Sequence, residues 1–102
     1  YPNAGSIFKN YDFRDIPKKI KNRFSKVVKT DPFPVVPSAL IILEANLAGK
    51  TVGGAQISEK HSNYIVNLGK AKAQDVKKLI KFIKNRVKRK FNLTLTEEIQ
   101  IF

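Results

Sequence analysis

The sequence predicts an α+β fold: a single small domain with a small, mostly antiparallel sheet packed by about three helices. Three observations carry this. Residues 73–91 place apolar side chains at three- and four-residue spacing, the signature of a helix with one buried face. The stretches "KTVGGAQIS", "NYIVNL" and "LTLTEEIQIF" are β-branched or alternate apolar with polar residues, which reads as short strands. Helical and strand segments then follow one another in an order that suits helices packed on a small sheet. At 102 residues and 42% apolar composition the chain can bury one core but not two, so residues 1–102 are read as one domain.

The elements follow in order. "AGSIFKN", residues 4 to 10, sets small residues, a hydroxyl, two apolar side chains, a cation and an amide side by side. Taken alone, Ser6 is either a turn hydroxyl or a proton donor. Asp15 can cap a helix beginning "IPKKIKNRF", in which Ile16, Ile20 and Phe24 fall four apart on one face. Pro32, Pro34 and Pro37 remove backbone donors from the next stretch and exclude a helix or a central strand, leaving an ordered loop or a lid. "SALIILEANLAG" predicts a short buried helix on Ala39, Ile42, Leu43 and Leu47, ended by Gly49. The Gly53–Gly54 pair within the next strand predicts a bulge or a close backbone approach, and it lacks the spacing of a phosphate-binding loop. In 73–91, Val76, Leu79, Ile80, Ile83 and Val87 form the stripe; Asp75 opens the helix, Lys88 to Lys90 close it, and Asn92 supplies a left-handed stop. The tail alternates Leu93, Leu95, Ile99 and Ile101 against Thr94, Thr96, Glu98 and Gln100, which predicts a terminal strand with Glu98 on its polar side and a bulge or edge at Glu97.

Composition narrows the function. There is no cysteine and one histidine, which excludes a disulfide framework, a thiol nucleophile and a multi-histidine metal site, so no metal is expected. No apolar run approaches a membrane span and no secretory leader is visible, so a soluble, cytoplasmic domain is expected. The absence of an initiator methionine before Tyr1 predicts that the chain is a piece of a longer protein. The net charge of +12 is concentrated: residues 9–29 hold eight Lys/Arg against two Asp, and 73–91 hold eight against one Asp. Such surfaces recruit nucleic acid or steer small anions into a cleft. The first possibility gives an alternative reading, a small basic nucleic-acid-binding module with Phe82 and Phe91 interleaved among the helix lysines as base-stacking platforms.

Four stretches together resemble one family. "AGSIFKN", "GKTVGGAQISEKHSNYIVN", "AKAQDVKKLI" and "LTEEIQI" are similar, in that order and over essentially the whole chain, to the C-terminal domain of UDP-N-acetylenolpyruvoylglucosamine reductase, MurB. The resemblance implies the third, substrate-binding domain of an NADPH-dependent FAD oxidoreductase of peptidoglycan synthesis. In that family two preceding domains, absent from this chain, hold most of the flavin. The enolpyruvyl ether of UDP-N-acetylglucosamine enolpyruvate is reduced there to UDP-N-acetylmuramate. By the motifs, the proton donor maps onto Ser6 and the second catalytic group onto Glu98, with Glu97 as the register alternative. Asn10 and His61 map onto contacts near the substrate diphosphate. The family's catalytic arginine lies in a preceding domain, so this chain alone should be inactive. Two departures stand out. Tyr11 replaces the proline that usually follows the first motif, and the extended loop before Asn63 offers Phe33 where related loops carry a tyrosine.

Overall fold

Turn chemistry brings the strands together. Gly53 takes the left-handed conformation, φ 56°, which costs a glycine little. At Gly54 a Cβ would stand 2.7 Å from the Ala71 nitrogen, so the backbones meet where only glycine fits. The stretch expected to be one bulged strand is therefore a hairpin, joined by a two-residue glycine turn of the kind that suits tight hairpins. The close backbone approach predicted there is present.

The computed structural model describes residues 3–25 and 34–98, with residues 3–6 as backbone only. Its elements are β1 (Asn3–Ser6), β2 (Tyr11–Asp12), a 3-10 turn (Phe13–Asp15), α1 (Lys18–Phe24), β3 (Val35–Val36), α2 (Ser38–Glu44), β4 (Thr51–Val52), β5 (Ala55–Ile57), β6 (Tyr64–Asn67) and α3 (Ala73–Phe91). A four-stranded antiparallel sheet has the order β1-β6-β5-β4, and β2 pairs with β3 in a second, two-stranded sheet. Three helices and small antiparallel sheets make the expected α+β domain.

Helix α3 lies against β4 and β5 and touches α2. Its stripe is as predicted: Leu79, Ile80, Ile83, Val87 and Phe91 are buried, and Val76 packs partly against the core. Asp75 accepts from the Lys72 N–H at 3.0 Å at one end, and Asn92 turns left-handed at φ 58° at the other, its N–H donating to the Lys88 carbonyl. Asp15 does not cap α1. It ends the 3-10 turn, which Asp12 caps by accepting from the Arg14 N–H, while Pro17 precedes α1. The Arg14 side chain, 2.7 Å from Asp12, holds that carboxyl below its usual range. Phe24 is buried and Ile20 partly buried on the predicted face, whereas Ile16 is buried from an extended position ahead of α1; Phe24 meets Phe91 edge to face at 5.8 Å between ring centres.

Three further expectations are corrected. Val35–Val36 forms a short strand between Pro34 and Pro37, and Val36 is fully buried, so this part of the proline-rich stretch is not loop but belongs to the core. Residues 31–33, including Pro32 and Phe33, lie outside the described residues. Helix α2 buries Ser38, Ile41 and Ile42 and leaves Leu43 exposed; its left-handed stop is Asn46, φ 61°, ahead of Gly49. In the tail, Leu93 and Leu95 are buried between exposed Thr94 and Thr96, yet the only sheet-like pairing among the described residues is the bridge of Glu97 to Phe8. The alternation holds from Leu93 to Thr96, and this described part of the tail runs along the core without a ladder to the sheet; Ile99, Gln100 and Ile101 lie outside the described residues.

Candidate active site

The segment after Ser6 is irregular but fully hydrogen-bonded through Lys9. The N–H of Ile7 donates to the Asn63 carbonyl at 2.8 Å, and the Ile7 carbonyl accepts from the Glu98 N–H at 2.8 Å. The N–H of Phe8 donates to Asn63 Oδ1 at 3.0 Å, and the Phe8 carbonyl accepts from Asn63 Nδ2 at 2.9 Å. The N–H of Lys9 donates to the Thr96 carbonyl at 2.9 Å, and the Lys9 carbonyl accepts from the Ser38 hydroxyl. Each N–H and C=O of three consecutive residues thus has a partner, which buried Ile7 and Phe8 require because an unpaired backbone group away from water is costly.

This frame gathers the sequence-predicted residues by their backbones. Ser6 ends β1, with its backbone opposite Tyr64. Three residue steps of β1 from Asn3 to Ser6 oppose two of β6, so a bulge falls at Ala4–Gly5, immediately before Ser6; bulges of this kind re-aim the side chains beside them. Glu98 is bonded through its N–H to the residue after Ser6. Asn10, exposed, follows directly on the clamped Lys9. His61 is exposed on the turn that enters β6: its N–H donates to Ser58 Oγ at 3.1 Å, its carbonyl accepts from the Tyr64 N–H, and its ring lies 5.8 Å from the Tyr64 ring. The segments around Ile7, Asn63 and Glu98 therefore meet beside β1, at one edge of the sheet.

The two acidic neighbours differ. Glu97 opposes Phe8 and reaches α3, where its carboxylate pairs with Lys84 Nζ at 3.0 Å. Glu98 is exposed and has no partner among the described side chains. Beside Glu97, Lys77, Lys81 and Lys84 rim an open groove of about 490 Å³ floored by Ile80, so positive charge on one face of α3 borders the segment that carries Glu98.

Other functions fit poorly. Phe91 is buried against Phe24, and Phe82 packs partly into the core with the Arg86 guanidinium 5.1 Å and Lys50 6.0 Å from its ring centre. Of the aromatic platforms of the nucleic-acid reading, Phe91 is thus a core residue and Phe82 is packed against the core. The Gly53–Gly54 pair does not fit a flavin or nucleotide phosphate, since a Cβ at Gly53 would meet the Asp75 carboxylate at 2.5 Å; the protein's own atoms fill that space. Among the described residues no cluster of His, Asp or Glu could hold a metal ion, and no helix is long and apolar enough to cross a membrane. Sequence reasoning missed Asn63 and Ser38, both buried polar residues whose partners lie far along the chain.

A family model for the UDP-N-acetylenolpyruvoylglucosamine reductase C-terminal domain matches residues 1–102. The chain is 38% identical over 102 residues to the UDP-N-acetylenolpyruvoylglucosamine reductase of Fervidobacterium nodosum, covering all of this chain and 26% of that protein. It is 39% identical over 101 residues to the enzyme of the same name from Clostridium botulinum, covering 99% of this chain and 26% of that protein. With the like-named protein of Bacillus licheniformis it shares 39% identity over 93 residues, 91% of this chain and 50% of that protein. The chain spans about a quarter of the length of the first two relatives. With the whole sequence matched, the chain belongs to the family of UDP-N-acetylenolpyruvoylglucosamine reductase C-terminal domains.

Proposed function

We infer that this chain is the substrate-binding domain of a flavin-dependent, NADPH-consuming reductase. The intact protein would convert UDP-N-acetylglucosamine enolpyruvate to UDP-N-acetylmuramate, a cytoplasmic step of peptidoglycan synthesis. The observation that carries the reading is the bond from the Glu98 N–H to the Ile7 carbonyl, 2.8 Å, which sets the carboxyl-bearing segment beside the residue that follows Ser6. The relatives' name supplies the substrate class. FAD, held by other parts of the intact protein, supplies the hydride when bound.

The roles of this chain's residues follow from the charge that the substrate acquires. Hydride gained at the terminal vinyl carbon leaves an electron pair on the carbon bearing the carboxylate. That carbon must be protonated. In this reading the Ser6 hydroxyl gives its proton to the carbon, forming the C–H bond, and the alkoxide left behind is reprotonated from solvent. A positioned general acid contributes on the order of 10²- to 10⁴-fold. The Glu98 carboxyl, protonated or orienting a donor, stabilises the same developing charge. Glu98 is favoured over Glu97 because Glu97 is already paired with Lys84. Asn10 and His61, both exposed near the clamped segment, would contact the diphosphate, and the lysines of α3 would steer an anionic sugar nucleotide toward the cleft.

The test is transient kinetics on the full-length protein with Ser6→Ala, Glu98→Gln and Glu97→Gln. Ser6→Ala and Glu98→Gln should slow reduction of the UDP-sugar about 10²- to 10⁴-fold while NADPH reduces the flavin at the unaltered rate, and Glu97→Gln should behave as wild type. Equal loss in both half-reactions for Ser6→Ala would refute the catalytic role.

A further inference from the structure

We propose that Asn63 is a positioning residue for this site, acting through the backbone of Ile7 and Phe8 to fix the spacing between Ser6 and Glu98. The proposal rests on the functional reading above.

Asn63 is only 6% exposed. Its carboxamide makes a two-bond ring with one residue, Phe8, accepting from the N–H at 3.0 Å and donating to the carbonyl at 2.9 Å. Its main-chain carbonyl takes the N–H of Ile7 at 2.8 Å. A paired strand would make such a ring with its own peptide groups. Here β6 begins only at Tyr64, and the chain before it turns, with the Tyr64 N–H bonded to the His61 carbonyl. The carboxamide therefore adds one rung to the ladder beyond the point where the β6 backbone has curved away. Ile7 and Lys9 are left free to bond on their other edge to Glu98 and Thr96.

The chemistry of this clamp is specific to an amide. A carboxylate of the same shape accepts from the Phe8 N–H but offers no donor to the Phe8 carbonyl, and an alanine reaches neither. Without the carboxamide ring the Phe8 peptide groups lose their partners, and the Ile7 carbonyl, which holds the Glu98 N–H, is fixed only by the single main-chain bond from Ile7 to Asn63. Displacements of about 1 Å between reacting groups cost on the order of 10²-fold in rate.

The experiment uses the full-length, flavin-loaded protein with Asn63→Asp, Asn63→Ala, Ser6→Ala and the Ser6→Ala/Asn63→Asp pair. Hydrogen exchange should speed up in peptides covering residues 6–10 and stay unchanged in those covering 73–91. Reduction of the UDP-sugar should slow about 10- to 10²-fold in the Asn63 variants, with flavin reduction by NADPH unaltered. The double variant should be no slower than Ser6→Ala, since the two residues then serve one step. Wild-type sugar reduction in the Asn63 variants, against a slow Ser6→Ala, would overturn the positioning role alone. Wild-type sugar reduction in Ser6→Ala would overturn the functional reading. Faster exchange throughout 73–91, or loss of folded protein in both Asn63 variants, would make Asn63 a folding residue and end the proposal.

Discussion

Helix α3 and the segment Ile7–Lys9 are both held in place, by different physics. The helix is fixed by non-directional burial: Leu79, Ile80, Ile83, Val87 and Phe91 turn one face to the core while its lysines and arginines stay in water. The segment has two buried apolar side chains, but its course is dictated by directional bonds to Asn63, Ser38, Thr96 and Glu98. The first mode tolerates small shifts and stabilises the whole domain. The second sets one geometry and matters most where geometry is used. Damage to α3 should therefore cost stability, and damage around Ile7–Lys9 should cost chemistry.

The sharpest way to break this contrast is Ile83→Ala. Ile83 is fully buried in mid-helix, and the truncation should destabilise the domain by about 2–5 kcal/mol in a urea titration, while in the full-length protein the molecules still folded reduce substrate at the wild-type rate. A rate defect in the folded fraction would mean that α3 also shapes the site. A smaller effect is expected of Ser38→Ala. It leaves the Lys9 carbonyl without its hydroxyl partner, at about 1–3 kcal/mol, and because Asn10 follows Lys9 it should raise KM for the UDP-sugar more than it lowers kcat. An unchanged KM would detach Asn10 from substrate binding. The smallest effect belongs to Lys84→Met. The half-exposed pair with Glu97 is worth about 0–1 kcal/mol. The variant should bind the sugar nucleotide more slowly at low salt, and the difference should vanish near 1 M salt, where charges are screened within about 3 Å.

The same division explains what could be read from the sequence. Burial at three-four spacing writes itself into local pattern, so α3, its Asp75 start and its Asn92 stop were all legible, as was β6 as a strand, though not which of its faces is buried. Patterns that fit two local geometries were not. "KTVGGAQIS" suits a bulged strand or a hairpin equally until the pairing of Thr51 with Gln56 is known. Alternation at Leu93 and Leu95 marks an extended chain but cannot say whether a neighbouring strand is present. Prolines 34 and 37 obscured β3 because an edge strand needs few donors. In α2 the short apolar run offers two overlapping faces, and packing chose Ile41 over Leu43. At the site, Ser6, Asn10, His61 and Glu98 came from motif resemblance. Asn63 and Ser38 had no local signal at all: their roles depend on partners 55 and 29 residues away.

The contact of Glu98 with Ile7 also has a temporal meaning. It closes a loop of about ninety residues, and such long-range closures form late because their entropic cost precedes any compensating contact. The packing of α3 on β4 and β5 joins segments much closer in sequence, so in refolding it should precede the closure between Glu98 and Ile7.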